Sequence, residues 1–259
     1  MRALSLAAAT LLAIASQSAL GATIRVSFAG SVESISGYNF TPGTAPIPIS
    51  PAEAQAALGG SIQIGTRFSG SVEYDDADVP SDGQSEGGAN PNWSLFYFPS
   101  PYYPDGSLHS PPIGPDAAVQ GEIGQFVGGG PQQSGLIMEV FDNELYLANA
   151  APSEVMFEGG FSHAPTTPND PLVMDGVIVR AIGGAPGSPL HSTSLEGIPW
   201  SLENFPATNA QWSFTNGLTS VSVVGNVDYL VPEPARAALV ALAACAMLAA
   251  RKRIGVGFE

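Results

Sequence analysis

The sequence predicts an all-β body, an antiparallel β-sandwich or jelly-roll-like domain, held between two terminal segments that are not part of it. Three observations predict this class. Apolar residues recur at every second position over several stretches, the period of a half-buried strand. A six-residue strand motif occurs twice, as Phe28-Ala29-Gly30-Ser31-Val32-Glu33 and Phe68-Ser69-Gly70-Ser71-Val72-Glu73, agreeing at five of six positions. Pairs such as Asn216-Gly217 separate alternating arms, as hairpins require.

The elements follow in order. Ile24, Val26, Phe28, Gly30 and Val32 mark the apolar face of a first strand, with Thr23, Arg25, Ser27, Ala29, Ser31 and Glu33 opposite. Ser50 is then the N-cap of a short helix: Pro51 takes its first position, Glu53 completes a capping box and Gly59 ends it. The strand pattern returns with Ile62, Ile64, Phe68, Gly70, Val72 and Tyr74 on one face. A looser third copy, Val221, Val223, Gly225, Val227 and Tyr229, forms the last strand. Glycine at an inward position of each copy predicts a bend or the close approach of a facing sheet. Unequal spacing excludes a solenoid, so the copies are equivalent strands of one sheet system.

Asp142-Asn143 predicts a hairpin between 136–141 and 144–148, and Asn216-Gly217 one between 211–215 and 218–224. Asp175-Gly176 predicts a further turn inside 172–182. Trp93 to Phe98 reads as a strand buried on both faces. Pro- and Gly-rich stretches at 41–51, 99–115 and 128–131 read as surface loops.

Composition limits the functions available. The 259 residues include 23 acidic and 8 basic side chains, a net charge of −15. That length and an apolar content of 44% fit one folded domain with extensions. Residues 22–234 hold three arginines, no lysine and 22 acidic residues, a balance of −19. Such a surface repels anionic polymers, so nucleic acid is excluded as a partner. The lone Cys245 excludes a disulfide framework and any multi-cysteine metal site.

Residues 1–21 carry the three parts of a secretory signal. Arg2 supplies the positive start, Leu4 to Ala15 the apolar stretch, and Ala19 and Gly21 the small residues before a cut between Gly21 and Ala22. The other end holds Val231-Pro232-Glu233-Pro234, an uncharged run from Ala237 to Ala250, and the basic cluster Arg251-Lys252-Arg253. A helix over 235–250, with Arg236 snorkelling to the interface, makes a short membrane span. The basic cluster would stay in the cytoplasm, which leaves the body outside.

This ordered combination resembles the PEP-CTERM sorting signal of Gram-negative bacteria. The resemblance covers about thirty residues. It implies a body at 22–230 and a sorting signal at 231–254, with a transmembrane helix at 235–250. Pro232, Glu233 and Pro234 would be the recognition triplet for an exosortase-type processing enzyme, and Arg251, Lys252 and Arg253 the stop-transfer cluster. The implied route has three stages: signal peptidase, an inner-membrane anchor with a periplasmic body, then the cell surface. The span is shorter than the family's, and Ile254 to Glu259 continue past the cluster where the family usually stops. Gly65 to Asp75, and Ser194 to Phe214 with its Ile198-Pro199, also resemble β-rich bodies common among PEP-CTERM proteins.

Catalytic motifs are missing. There is no Gly-x-Ser-x-Gly elbow, no His-Glu-x-x-His helix and no phosphate-cradling glycine loop. His109, His163 and His191 all fall in loop-like stretches. The expectation is therefore a non-enzymatic, surface-sorted protein of the envelope or extracellular polysaccharide matrix. A carbohydrate-binding module is the second reading, a hydrolase the third. Two clusters are candidate sites. Asp75, Asp76, Asp78, Asp82 and Glu86 crowd one loop and supply the oxygens that Ca²⁺ takes, although their spacing fails the EF-hand pattern. Tyr102 and Tyr103, in a Pro-rich loop, are the aromatics best placed to stack on a sugar.

Overall fold

The computed structural model describes residues 23–41, 43–75, 93–98, 118–129, 134–141, 153–161, 170–183, 190, 195 and 197–233. Eleven strands and one short helix make up the described elements. They run β1 (Thr23–Asn39), β2 (Ile47–Ile49), α1 (Pro51–Ala57), β3 (Arg67–Asp75), β4 (Trp93–Phe98) and β5 (Ala118–Ile123). Then follow β6 (Phe126–Gly129), β7 (Ser134–Phe141), β8 (Glu154–Phe161), β9 (Val173–Ile182), β10 (Asn209–Thr215) and β11 (Thr219–Glu233). All described pairings are antiparallel.

The strands form one sheet in the order β4-β7-β8-β9-β10-β11-β1-β3-β5-β6, with β2 added on β1. The class is all-β as expected, but the two layers of the expected sandwich are halves of a single curled sheet. The β5–β6 end folds back over β8 and β9. Gly159 of β8 lies against Val119 of β5, and Gly128 of β6 against Phe161 and Met174. Phe126 closes the curl edge-on to Phe214, their centroids 4.9 Å apart.

The three repeat strands lie side by side as β11-β1-β3, and the motif pairs with its own copy. Antiparallel register sets Phe28 opposite Gly70 and Gly30 opposite Phe68. A Cβ on Gly30 would come 2.5 Å from the Phe68 ring, and one on Gly70 would come 2.8 Å from Cε1 of Phe28. Each ring occupies the space its partner glycine leaves, and Gly121 leaves similar room for Trp212. Trp212 then meets Phe68 edge-on at 5.8 Å and Phe28 at 6.3 Å. Burying a large ring is worth about 4–6 kcal/mol. That exceeds the roughly 1–3 kcal/mol cost of leaving Trp212 Nε1 buried without a partner. Trp200, by contrast, donates from Nε1 to the Tyr74 hydroxyl at 2.9 Å.

The helix caps are as read. Glu53 N donates to Ser50 Oγ at 3.3 Å, Ser50 N donates to the Glu53 carboxylate at 2.7 Å, and Gly59 adopts φ +67°. Those hydrogen bonds from Ser50 hold the Glu53 carboxyl below its ordinary range. Asn216-Gly217 makes the expected hairpin, with Gly217 at φ +85° and Asn216 Oδ1 accepting from Thr219 N at 2.9 Å.

Three local expectations change, at Asp175-Gly176, at the start of the second repeat strand and in two stretches read as loops. Asp175-Gly176 is no turn: β9 runs through it, and Asp175 is the extra residue of a bulge opposite Ser213 and Phe214. The second repeat strand starts at Arg67, so Ile62 is buried ahead of it while Ile64 is 68% exposed. β4, expected to be buried on both faces, pairs β7 at the end of the sheet order; Phe96 is buried, and the side chains of the opposite face lie outside the described residues. The stretches 41–51 and 128–131, read as loops, hold β2 and the end of β6. The arm at 144–148 lies outside the described residues, and β7 pairs with β8 instead.

Gly70→Ala tests the reciprocal packing, because the added Cβ meets both the Phe28 ring and Gln120 O at 2.7 Å. Overpacking of this kind costs about 1–3 kcal/mol, read as a lower urea midpoint. Gly160→Ala has open space and should stay within about 0.5 kcal/mol of the parent.

Candidate functional site

A groove of about 540 Å³ runs along the outer face of β11, β1, β3, β5 and β6. Register builds it in cross-strand rows. One row reads Tyr229, Ala29, Ser69, Glu122 and Val127, and the next Val231, Ser27, Ser71, Gln120 and Gly129. Small residues in the middle of each row make a floor. Tyr229 raises one wall, and Gln120, Glu122 and Val127 the other. The walls stand about 14 Å apart across three strand spacings.

Tyr229 reaches this face through a change of phase. Alternation from Val221 predicts it inward. Asp228 is an extra residue of β11, opposite the step from Ala29 to Gly30, and it reverses the alternation. Leu230 therefore points into the core, and Tyr229 is 48% exposed. Arg67 of β3 holds the bulge residue by two hydrogen bonds, one of them Nη2 to Oδ1 at 3.0 Å. The bond from Arg67 is the main reason that the Asp228 carboxyl lies below its ordinary range. Desolvation opposes it, and the Arg67 charge adds to it.

The polar groups of the groove are mostly engaged. Ser69 donates to Glu122 at 2.8 Å, and Ser27 donates to the Glu233 carboxylate. Arg25 Nε lies 3.3 Å from the same carboxylate, an ion pair without hydrogen-bond geometry. Arg180 stands 3.8 Å from Glu154. Thus all three arginines of the body face carboxylates. Ser71 differs from its neighbours: it lines the groove floor, is 6% exposed, and its hydroxyl has no partner among the described residues.

Among the residues expected to carry function, Pro232 and Glu233 lie at the end of β11, opposite Val26 and Arg25. Beyond Asn226 the described pairing of β11 is with β1 alone, so this is a local edge that tolerates proline. The body strand thus extends past position 230 into the triplet. Asp75 closes β3 opposite Thr23. Asp76, Asp78, Asp82, Glu86, Tyr102, Tyr103, Gly21, Ala22, Pro234, Arg251, Lys252 and Arg253 lie outside the described residues, as do the three histidines and Cys245. Among the described residues no group of three or more His, Cys, Asp or Glu side chains gathers, and no helix is long and apolar enough to cross a membrane. The groove was missed in the sequence, although a signal was present. The outward positions of both repeats are small, Ser27 and Ala29, then Ser69 and Ser71, where strands usually carry longer side chains.

The Asp228 bulge gives a pH prediction. A carboxyl depressed in the folded state contributes stability above its ordinary pKa, and that contribution is lost as pH falls through the folded value. Asp228→Asn should therefore lower the urea midpoint slightly at neutral pH, with the gap closing in acid. The gap is small because the pair is exposed. No family model, curated protein or solved structure matches this chain, so the functional reading rests on its own residues and geometry.

Proposed function

We propose that the chain is an exported, surface-sorted, non-enzymatic protein of the cell envelope or extracellular polysaccharide matrix. In this reading a sandwich-like β body is delivered by a cleaved signal over 1–21 and held by a helix over 235–250. An exosortase-type enzyme then processes it at Pro232–Pro234. The observation that carries the reading is the order of triplet, apolar run and basic cluster at one end, matched to a signal pattern at the other. The place of the triplet favours it too. Pro232 and Glu233 end the stretch of β11 that pairs with β1 alone, so they can peel from β1 without opening the core.

Intact-mass and terminal-peptide mass spectrometry of the protein recovered from the cell surface tests this directly. The expected species starts at Ala22 and ends near Pro232–Pro234. A surface species that retains Ala237 to Ala250 contradicts processing and leaves a single-pass membrane protein. A species that retains Met1 to Gly21 contradicts the signal.

A further inference from the structure

From the outer groove we infer a second property, independent of how the chain is sorted: the face of β11, β1, β3 and β5 binds a neutral polysaccharide chain laid along the strands. Three observations lead there. The first is Ser71, a residue 6% exposed whose hydroxyl has no partner among the described residues and opens onto the groove floor. With no protein partner that hydroxyl is free to exchange water for a ligand hydroxyl. The second is Tyr229, an exposed aromatic wall that the Asp228 bulge turns outward to flank that floor. Its ring offers a flat apolar face beside polar groups, the surface that the C–H face of a sugar ring requires.

The third observation is the set of polar groups itself. Ser71 both donates and accepts, the exposed Gln120 amide offers two donors and an acceptor, and Glu122 accepts. Sugar hydroxyls donate and accept at once, so a mixed set of this kind matches them. An anionic polymer is disfavoured because the groove's one cation, Arg25, already faces Glu233, in a body at −19. A peptide strand is disfavoured because the floor strands already pair on both sides and offer no free backbone edge. The volume is that of a small-ligand cleft.

Affinity electrophoresis of the full chain in mild detergent tests the inference. The gels contain a neutral β-glucan, a neutral α-glucan or a galactomannan, with alginate as the anionic comparison. At least one neutral gel should retard the chain, and alginate should not. Tyr229→Ala should weaken that retardation at least tenfold, while Tyr229→Phe, which keeps the ring, retains most of it. Ser71→Ala should weaken it several-fold without lowering the melting midpoint, since the lost hydroxyl bonds to nothing in the free protein. Gln120→Ala, at an exposed position that leaves the core untouched, should weaken it as well. Tyr38→Ala, exposed but outside the groove, should have no effect. Absence of retardation in every neutral gel overturns the inference. So does retardation indifferent to Tyr229→Ala, Ser71→Ala and Gln120→Ala, or stronger retardation by alginate. Sedimentation supplies one more overturning result: a dimer that Tyr229→Ala dissociates would assign the face to a second copy of the chain.

Discussion

Two phenylalanines lying on two glycines set the geometry on which the rest of this protein depends. Phe28 opposes Gly70 and Phe68 opposes Gly30, so the antiparallel register of β1 and β3 is the only one that gives both rings room. A slip by one residue would send every side chain of β3 to the other face. A slip by two would set rings against side chains instead of glycines. With the register held, Trp212 covers Gly121 and joins both rings, which ties β10 on one arm of the curl to β5 on the other. The core therefore closes across a single sheet, without a second one.

Bulges decide which residues face water. β1 carries buried positions at Val26, Phe28, Gly30 and Val32, then at Ile35 and Gly37, because Glu33 is extra opposite β11. β11 makes the complementary shift at Asp228. Extra residues increase local twist and re-aim the side chains beyond them. In β11 the effect is to put Leu230, and not Tyr229, on the inner face. Arg67 reaches across from β3 to hold the carboxylate that marks this point. The energy of that exposed pair is small, so its role is positional.

The groove and the end of β11 are joined through one carboxylate. Arg25 lines the groove and faces Glu233, and Ser27 donates to the same carboxylate. Loss of the Glu233 carboxylate would leave Arg25 and Ser27 free to face the groove.

Much of this was legible in the residues themselves. Alternation identified β1, the body of β3 and most of β11, because a strand with one wet face must alternate whatever it packs against. The capping box and Asn216-Gly217 were readable for a similar reason, since both are satisfied by neighbours three or four residues away. The repeat announced that β1, β3 and β11 belong together, and the terminal segments were patterned without reference to the fold. Only the tertiary structure decided the rest. Asp175-Gly176 has turn chemistry, yet β10 and β8 on its two sides hold it in a strand as a bulge. β8 sits between β7 and β9, and nothing in its own sequence names these neighbours. Tyr229 continues an inward pattern in the sequence and faces outward in the fold, because one inserted residue reverses a period of two. The groove exists only where five strands, distant along the chain, set their small residues side by side. Local patterns specify a strand and its faces; the partners, the bulges and the surface that several strands share are set by packing among residues far apart in sequence.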